Sequence, residues 1–149
     1  MGWTRQLRGK TVGLDTAPLI YYIEENPTYL ITVDALFQAL DRGEFAAVTS
    51  MVTLLEVLVR PFRRGDTALA NHYRTILFES AGLTTAPLSQ AIAEEAARLR
   101  SVYRIGTADA IQMATAACHG ASFFVTNDAR LPVVPGLTML TLDELKAET

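Results

Sequence analysis

Five short runs constrain this chain more than anything else in it. Residues 11–15 (TVGLD), 45–49 (FAAVT), 83–87 (LTTAP), 121–126 (ASFFVT) and 138–142 (TMLTL) read as strands. They are apolar in runs rather than on alternate positions, and helical segments separate them. Strands buried on both faces and joined through helices form a parallel sheet covered on each side. The expected fold class is therefore α/β, a central parallel sheet with helical layers. In such a sheet ligands bind beyond the carboxyl ends of the strands, near the point where strand order reverses.

The connecting segments support this reading. Thr16-Ala17-Pro18 opens a helix, with the proline near a position where its missing N–H costs nothing, and Asn26-Pro27 ends it. Leu30, Val33, Leu36, Phe37 and Leu40 follow helical spacing across residues 29–42, and Gly43 is the natural stop. Ser50 caps a helix expected over residues 51–59, with Pro61 marking its end and residues 62–66 forming a basic loop. A helix over residues 67–80 turns Leu69, Tyr73, Ile76 and Leu77 inward. Another, over about 89–103, turns in Ile92, Ala96, Leu99 and Val102. The alanine-rich stretch 107–118 stops at Gly120, and a short helix over residues 143–148 closes the chain. One domain over 1–149 is expected at this length, with residues 1–10 as a loosely ordered tail.

Four acids fall where such a sheet gathers its ligands. Asp15 follows the first strand, and Asp128 follows the strand that begins at Ala121. Asp109 opens the helix at 107, and Glu56 interrupts a segment (MVTLLEVLV) that is apolar almost all round. Each has a bland use: Asp15 as a cap, Glu56 paired with Arg60, Asp109 on the helix dipole, Asp128 in a turn. Their joint placement at one sheet edge is the signal. Clustered carboxylates repel one another, and a divalent cation removes the conflict. Oxygen-only ligands suit magnesium or manganese, and the chemistry expected of that pairing is phosphodiester hydrolysis. Thr126 and Asn127 stand ready to orient a water or a phosphate oxygen.

Composition narrows the field from the other side. Half of the residues are hydrophobic, enough for a sizeable core. One cysteine, Cys118, excludes an intrachain disulfide framework and cysteine-rich zinc sites. No secretory leader pattern or membrane-spanning apolar run is visible, so a soluble cytoplasmic protein is expected. The net charge of -3 disfavours nucleic acid at first sight. Without the four site acids, however, 12 acids face 13 basic residues, of which eleven are arginines. Arg60, Arg63, Arg64, Arg98 and Arg104 are candidate phosphate contacts. There is no Walker A sequence, GxGxxG or GxSxG elbow. His72 and His119 are isolated, and Cys118 reads as a small core residue.

Together, LDTAPLIYYIEENPTY around Asp15, TLLEVLVRP around Glu56, TADAIQMATA around Asp109 and FFVTNDARL ending near Asp128 resemble the PIN-domain family, in particular its VapC-type toxin ribonucleases. The resemblance spans nearly the whole chain. It implies a three-layer α/β/α sandwich and a magnesium- or manganese-dependent endoribonuclease. The metal positions would be Asp15, Glu56, Asp109 and Asp128, with Thr126 and Asn127 in support. It also implies an RNA substrate, a small antitoxin partner and a homodimer. Ala17 and Gln112 depart from the pattern, since many members carry a small polar residue and a histidine there. Other PIN-type nucleases process RNA or act on DNA, and an idle scaffold that binds RNA or a partner is the remaining alternative.

Overall fold

The computed structural model describes residues 2–149. Its centre is a five-stranded sheet: β1 (Thr11–Leu14), β2 (Ala46–Ser50), β3 (Leu83–Ala86), β4 (Phe123–Thr126) and β5 (Thr138–Thr141). The order is β3-β2-β1-β4-β5, and every neighbouring pair is parallel. Strand order grows outward from β1 in one direction and resumes at β4 in the other. The reversal therefore lies between β1 and β4, where Leu14 pairs with Val125.

Eight helices connect and flank the strands: α1 (Gly2–Arg5), α2 (Thr16–Ile23), α3 (Leu30–Asp41), α4 (Met51–Arg64), α5 (Thr67–Glu79), α6 (Gln90–Val102), α7 (Thr107–Cys118) and α8 (Leu142–Ala147). The core divides into two clusters. Val12, Leu14 and Val125 face one, with Leu36, Phe37 and Leu142. Phe124 faces the other, with Met113 and Ala116 of α7 and Ile92 and Leu99 of α6. Helices on both faces of a parallel sheet make the expected three-layer α/β/α arrangement. No helix among the described residues is long and apolar enough to cross a membrane.

One glycine sets the spacing of the second layer. A Cβ added to Gly13 would stand 2.5 Å from Cβ of Ala116 and 2.8 Å from Cδ1 of Phe124. Only a hydrogen at this position of β1 lets α7 lie so close to the sheet. That close approach carries the N-terminus of α7, and Asp109 with it, to the carboxyl edge.

Five sequence readings need correction, the simplest being that Cys118 is exposed and not a core residue. Residues 2–10 are not loosely ordered. Trp3 and Leu7 are buried, and Trp3 Nε1 donates to Thr149 Oγ1 at 3.1 Å, tying the two ends together; Met1 lies outside the described residues. Pro61 does not end α4, which runs on to Arg64, so the segment read as a basic loop begins as a helical turn. Proline removes one N–H from the ladder. Here Gly65, at φ 66°, makes the real stop, and the N–H groups of Gly65 and Asp66 accept termination duty by donating to Phe62 and Pro61 carbonyls. Nor is α4 buried all round: Thr53, Val57 and Pro61 face in, whereas Leu55, Glu56, Val59 and Phe62 are exposed. Finally, Val102 is exposed, since α6 buries only Ile92, Ala96 and Leu99.

Candidate active site

Asp15 leaves β1 in extended conformation and becomes the N-cap of α2. Its Oδ1 accepts from Thr16 N at 2.8 Å, and its Oδ2 accepts from Thr126 Oγ1 at 2.7 Å. Its own N–H donates to Val125 O, so the backbone is held across the β1–β4 seam. Thr126, fully buried at the end of β4, also accepts from Asp128 N at 3.0 Å. One hydroxyl thus locks Asp15 and the Asp128 turn together. This is a more specific duty for Thr126 than holding water or phosphate. Asn127 donates through Nδ2 to the Tyr21 hydroxyl at 3.1 Å, at the rim of the same groove.

The acids feel one another. Burial holds the Asp15 carboxyl above its ordinary range, and repulsion from Glu56 and Asp128 adds to this against the two hydrogen bonds. Burial likewise raises Asp109, with Asp15 and Asp128 repelling it further and Arg130 opposing. Asp128 is lowered, because Arg130 donates to it from Nε at 3.0 Å, from Nη2 at 3.2 Å and from its backbone N–H at 2.9 Å. Neighbouring carboxylates pushed apart in this way are common at functional sites.

Glu56 reaches the same edge from the second turn of α4. Its Oε1 accepts from Thr16 Oγ1 at 2.8 Å. The pairing with Arg60 considered from sequence is absent among the described ion pairs. Two open grooves meet at Asp128 and Arg130, and Glu56 lines neither. One is lined by Asp15, Ala17, Tyr21, Asn127, Asp128 and Arg130. The other is lined by Arg104, Ile105, Gly106, Asp109, Asp128, Arg130 and Leu131. Of the candidate phosphate contacts, Arg104 lines a groove that holds the acids. Arg60, Arg63, Arg64 and Arg98 line neither, and Arg98 is paired with Glu95.

Does this donor set fit a divalent metal? The donors are all oxygen, and two of them, Asp15 and Asp109, are destabilised as anions by burial and then by their neighbours, which suits a hard cation. Among the described residues, no three such side chains converge closely enough to form a ready-made ligand cluster. In this arrangement the Asp128 carboxylate accepts from Arg130, and Glu56 Oε1 accepts from Thr16.

The sequence matches the family model of the PIN domain over residues 12–137. The chain belongs to the PIN-domain family. Solved PIN-like structures repeat the fold. A VapBC2 structure from Rickettsia felis, bound to a DNA fragment from its promoter, aligns at TM-score 0.65 and 18% identity, covering 88% of this chain and 98% of that one. A toxin–antitoxin complex from Klebsiella pneumoniae gives TM-score 0.64 and 24% identity over 86% and 95%. The sarcin–ricin-loop-cleaving toxin VapC20 of Mycobacterium tuberculosis gives 0.61 and 16% over 76% and 86%. No curated protein sequence matches the chain significantly.

Two features of this PIN domain escaped the sequence reading. Arg130 lies only two residues from Asp128, a spacing that offered a signal. Tyr21 sits on α2, and the sequence reading singled out no role for it. In the fold Tyr21 lines the groove and stacks on Tyr29, with ring centroids 4.9 Å apart.

Proposed function

We propose that this chain is a single nuclease domain over residues 1–149 that hydrolyses RNA phosphodiester bonds with magnesium or manganese. The observation that supports the reading is that Asp15 and Asp128 follow the adjacent strands β1 and β4, with Asp109 near enough to be repelled by both and Glu56 near enough to repel Asp15. PIN domains are nucleases, and family membership supports the reaction class. In this reading the four acids hold the cation. When bound, such an ion supplies an activated water and positive charge for the leaving oxygen. The protein's own part is positional. Thr126 holds Asp15, Thr16 holds Glu56, and Arg104 and Arg130 line one groove and would be the phosphate contacts.

RNA is favoured as the substrate because one structural neighbour is a sarcin–ricin-loop-cleaving toxin. Other neighbours are toxin–antitoxin complexes, which supports a cytoplasmic toxin held by a small antitoxin. An antitoxin basic residue at these acids would satisfy the same charge that Arg130 satisfies now.

The test is cleavage of total cellular RNA by the purified protein in magnesium, in manganese and in EDTA, with Asp109→Asn alongside. Discrete products that need metal and vanish in the variant are expected. Equal cleavage by a folded Asp109→Asn protein would refute the assignment, and products from flap DNA but not RNA would move it to a DNA nuclease.

A further inference from the structure

Behind Glu56 lies a chain of buried hydrogen bonds whose direction can be worked out atom by atom. An ionised Glu56 can only accept, so the Thr16 hydroxyl donates its one hydrogen to Oε1 at 2.8 Å. Thr16 Oγ1 is then left with lone pairs, and Gln112 Nε2 donates to it at 3.1 Å. The other end is fixed the same way. The Leu14 carbonyl can only accept, so Thr49 donates to it at 2.9 Å. With that hydrogen used, Thr49 accepts from Thr53 at 2.8 Å. Thr53, its hydrogen spent in turn, accepts from Gln112 Nε2 at 2.6 Å. Both amide hydrogens of Gln112 are now committed, one to each threonine. The contact of 3.3 Å between Thr16 and Thr53 is left with no hydrogen to share.

The orientation of the Gln112 amide follows from this. Turned over, it would present oxygen to both hydroxyls and pull their hydrogens away from Glu56 and Thr49. The orientation present keeps both, at the expense of a buried Oε1 that accepts from no protein group. Gln112 is 3% exposed, Thr53 and Thr49 are buried, and none of the three touches the grooves. An apolar side chain would fill this place without an unpartnered oxygen. The amide is therefore spent on ordering the two threonines. Meanwhile Glu56 is exposed and, among the described residues, has no other protein partner, so nothing but Thr16 fixes where its carboxylate sits.

We propose that Gln112 is a positioning residue for the metal site. Through Thr16 it fixes the Glu56 carboxylate with Oε1 held and Oε2 free, and through Thr53 and Thr49 it is itself braced against β1. The inference rests on the reading of Glu56 as a cation ligand. Outer partners of this kind commonly govern metal affinity about 10- to 100-fold.

The experiment is calorimetric titration of Mn2+ into the full chain, with thermal melting of each protein. The variants are Gln112→Met, Thr53→Val and Thr53→Ser, with Asp109→Asn as a ligand control. Thr53→Val keeps the volume and loses the hydroxyl; Thr53→Ser keeps the hydroxyl and loses a buried methyl. Affinity should follow the hydroxyl, whereas both variants should melt below the parent, Thr53→Val because a buried Gln112 amide hydrogen loses its acceptor and Thr53→Ser because a buried methyl is lost. Gln112→Met and Thr53→Val should bind Mn2+ about tenfold more weakly or worse, and Thr53→Ser within about twofold of the parent. Parent-like affinity in folded Thr53→Val would overturn the positioning role while leaving the metal site standing, as would equal losses in Thr53→Val and Thr53→Ser. A parent protein that binds no Mn2+ would remove the metal site and this role together.

Discussion

The two sides of the β1–β4 seam hold their carboxylates by opposite means. On the β2 side, Glu56 is exposed, yet its position is set from within, by a hydroxyl whose own hydrogen bonds run through buried side chains to a strand carbonyl. On the β4 side, Asp128 is gripped from outside, by an arginine whose side chain is 91% exposed. The first arrangement has a single hydrogen-bond direction and is braced by buried side chains. The second is a surface ion pair that salt, metal or phosphate can displace. Asp15 stands between them, bound on its β4 flank by Thr126 and repelled from its β2 flank by Glu56. The site thus has a firmly held jaw at Glu56 and an exposed, more readily exchanged one at Asp128.

The comparison breaks most visibly at its centre. Asp15→Asn keeps an acceptor for Thr16 N and removes the charge both sides share. Cleavage of RNA in manganese should fall at least about a hundredfold, since charge stabilisation by a metal is worth several kcal/mol. A smaller loss in a folded variant would mean that the two jaws work independently of Asp15. Next in size is the spacing between layers. In Gly13→Ala the new Cβ meets Ala116 and Phe124, whose atoms stand 2.5 and 2.8 Å away. Overpacking of this kind costs about 1–3 kcal/mol, to be read from denaturant unfolding. Because α7 must retreat, Asp109 moves with it, so Mn2+ affinity should drop too. An unfolding midpoint equal to the parent's would mean that α7 is not seated against β1 as described.

The same contrast decides what could be read from the sequence. The strands and their parallel pairing follow from apolar runs and connecting helices, and the structure has them. Asp15 and Asp128 were legible because a residue directly after a buried strand has one place to go. Pro61 misled because proline forbids one hydrogen bond and not a helix, and the stop belonged to Gly65, whose positive φ is a property of the folded turn. Glu56 was chosen for a reason that does not hold: its neighbours Leu55 and Val59 are exposed, not buried. Trp3 and Leu7 looked like tail because the groups that cover them come from distant parts of the chain. The Gln112 relay was invisible for the same reason. It joins Leu14, Thr16, Thr49, Thr53, Glu56 and Gln112, and no local period records such a meeting.

Between the large effects and the small ones lies the pH dependence of the metal-free protein. Asp15 and Asp109 have folded-state pKa values above their unfolded ones. For a carboxyl raised on folding, the native state binds more protons over the window between the two values, so stability rises as pH falls through it. In EDTA the parent should therefore melt higher at mildly acidic pH than at neutral pH. Asp15→Asn should flatten the slope and raise the neutral melting temperature. A parent that loses stability steadily from pH 7 downward would mean the acids do not strain one another.

The smallest stability effect should carry the clearest sign. Arg130→Ala removes the outside grip on Asp128. An exposed pair is worth only about 0–1 kcal/mol, and the side chains here are 91% and 29% exposed. The folded pKa of Asp128 is depressed, so the contribution is present above the unfolded value near 3.8 and is lost as pH falls through the folded one. Parent and variant should differ slightly at neutral pH and coincide in strong acid. Mn2+ affinity should move the other way. With no guanidinium to displace, both Asp128 oxygens are free and binding should tighten, whereas the relay variants on the Glu56 side loosen it. Weaker Mn2+ binding by Arg130→Ala would mean that Arg130 orients Asp128 for the cation instead of competing with it, and the two jaws would then be of one kind.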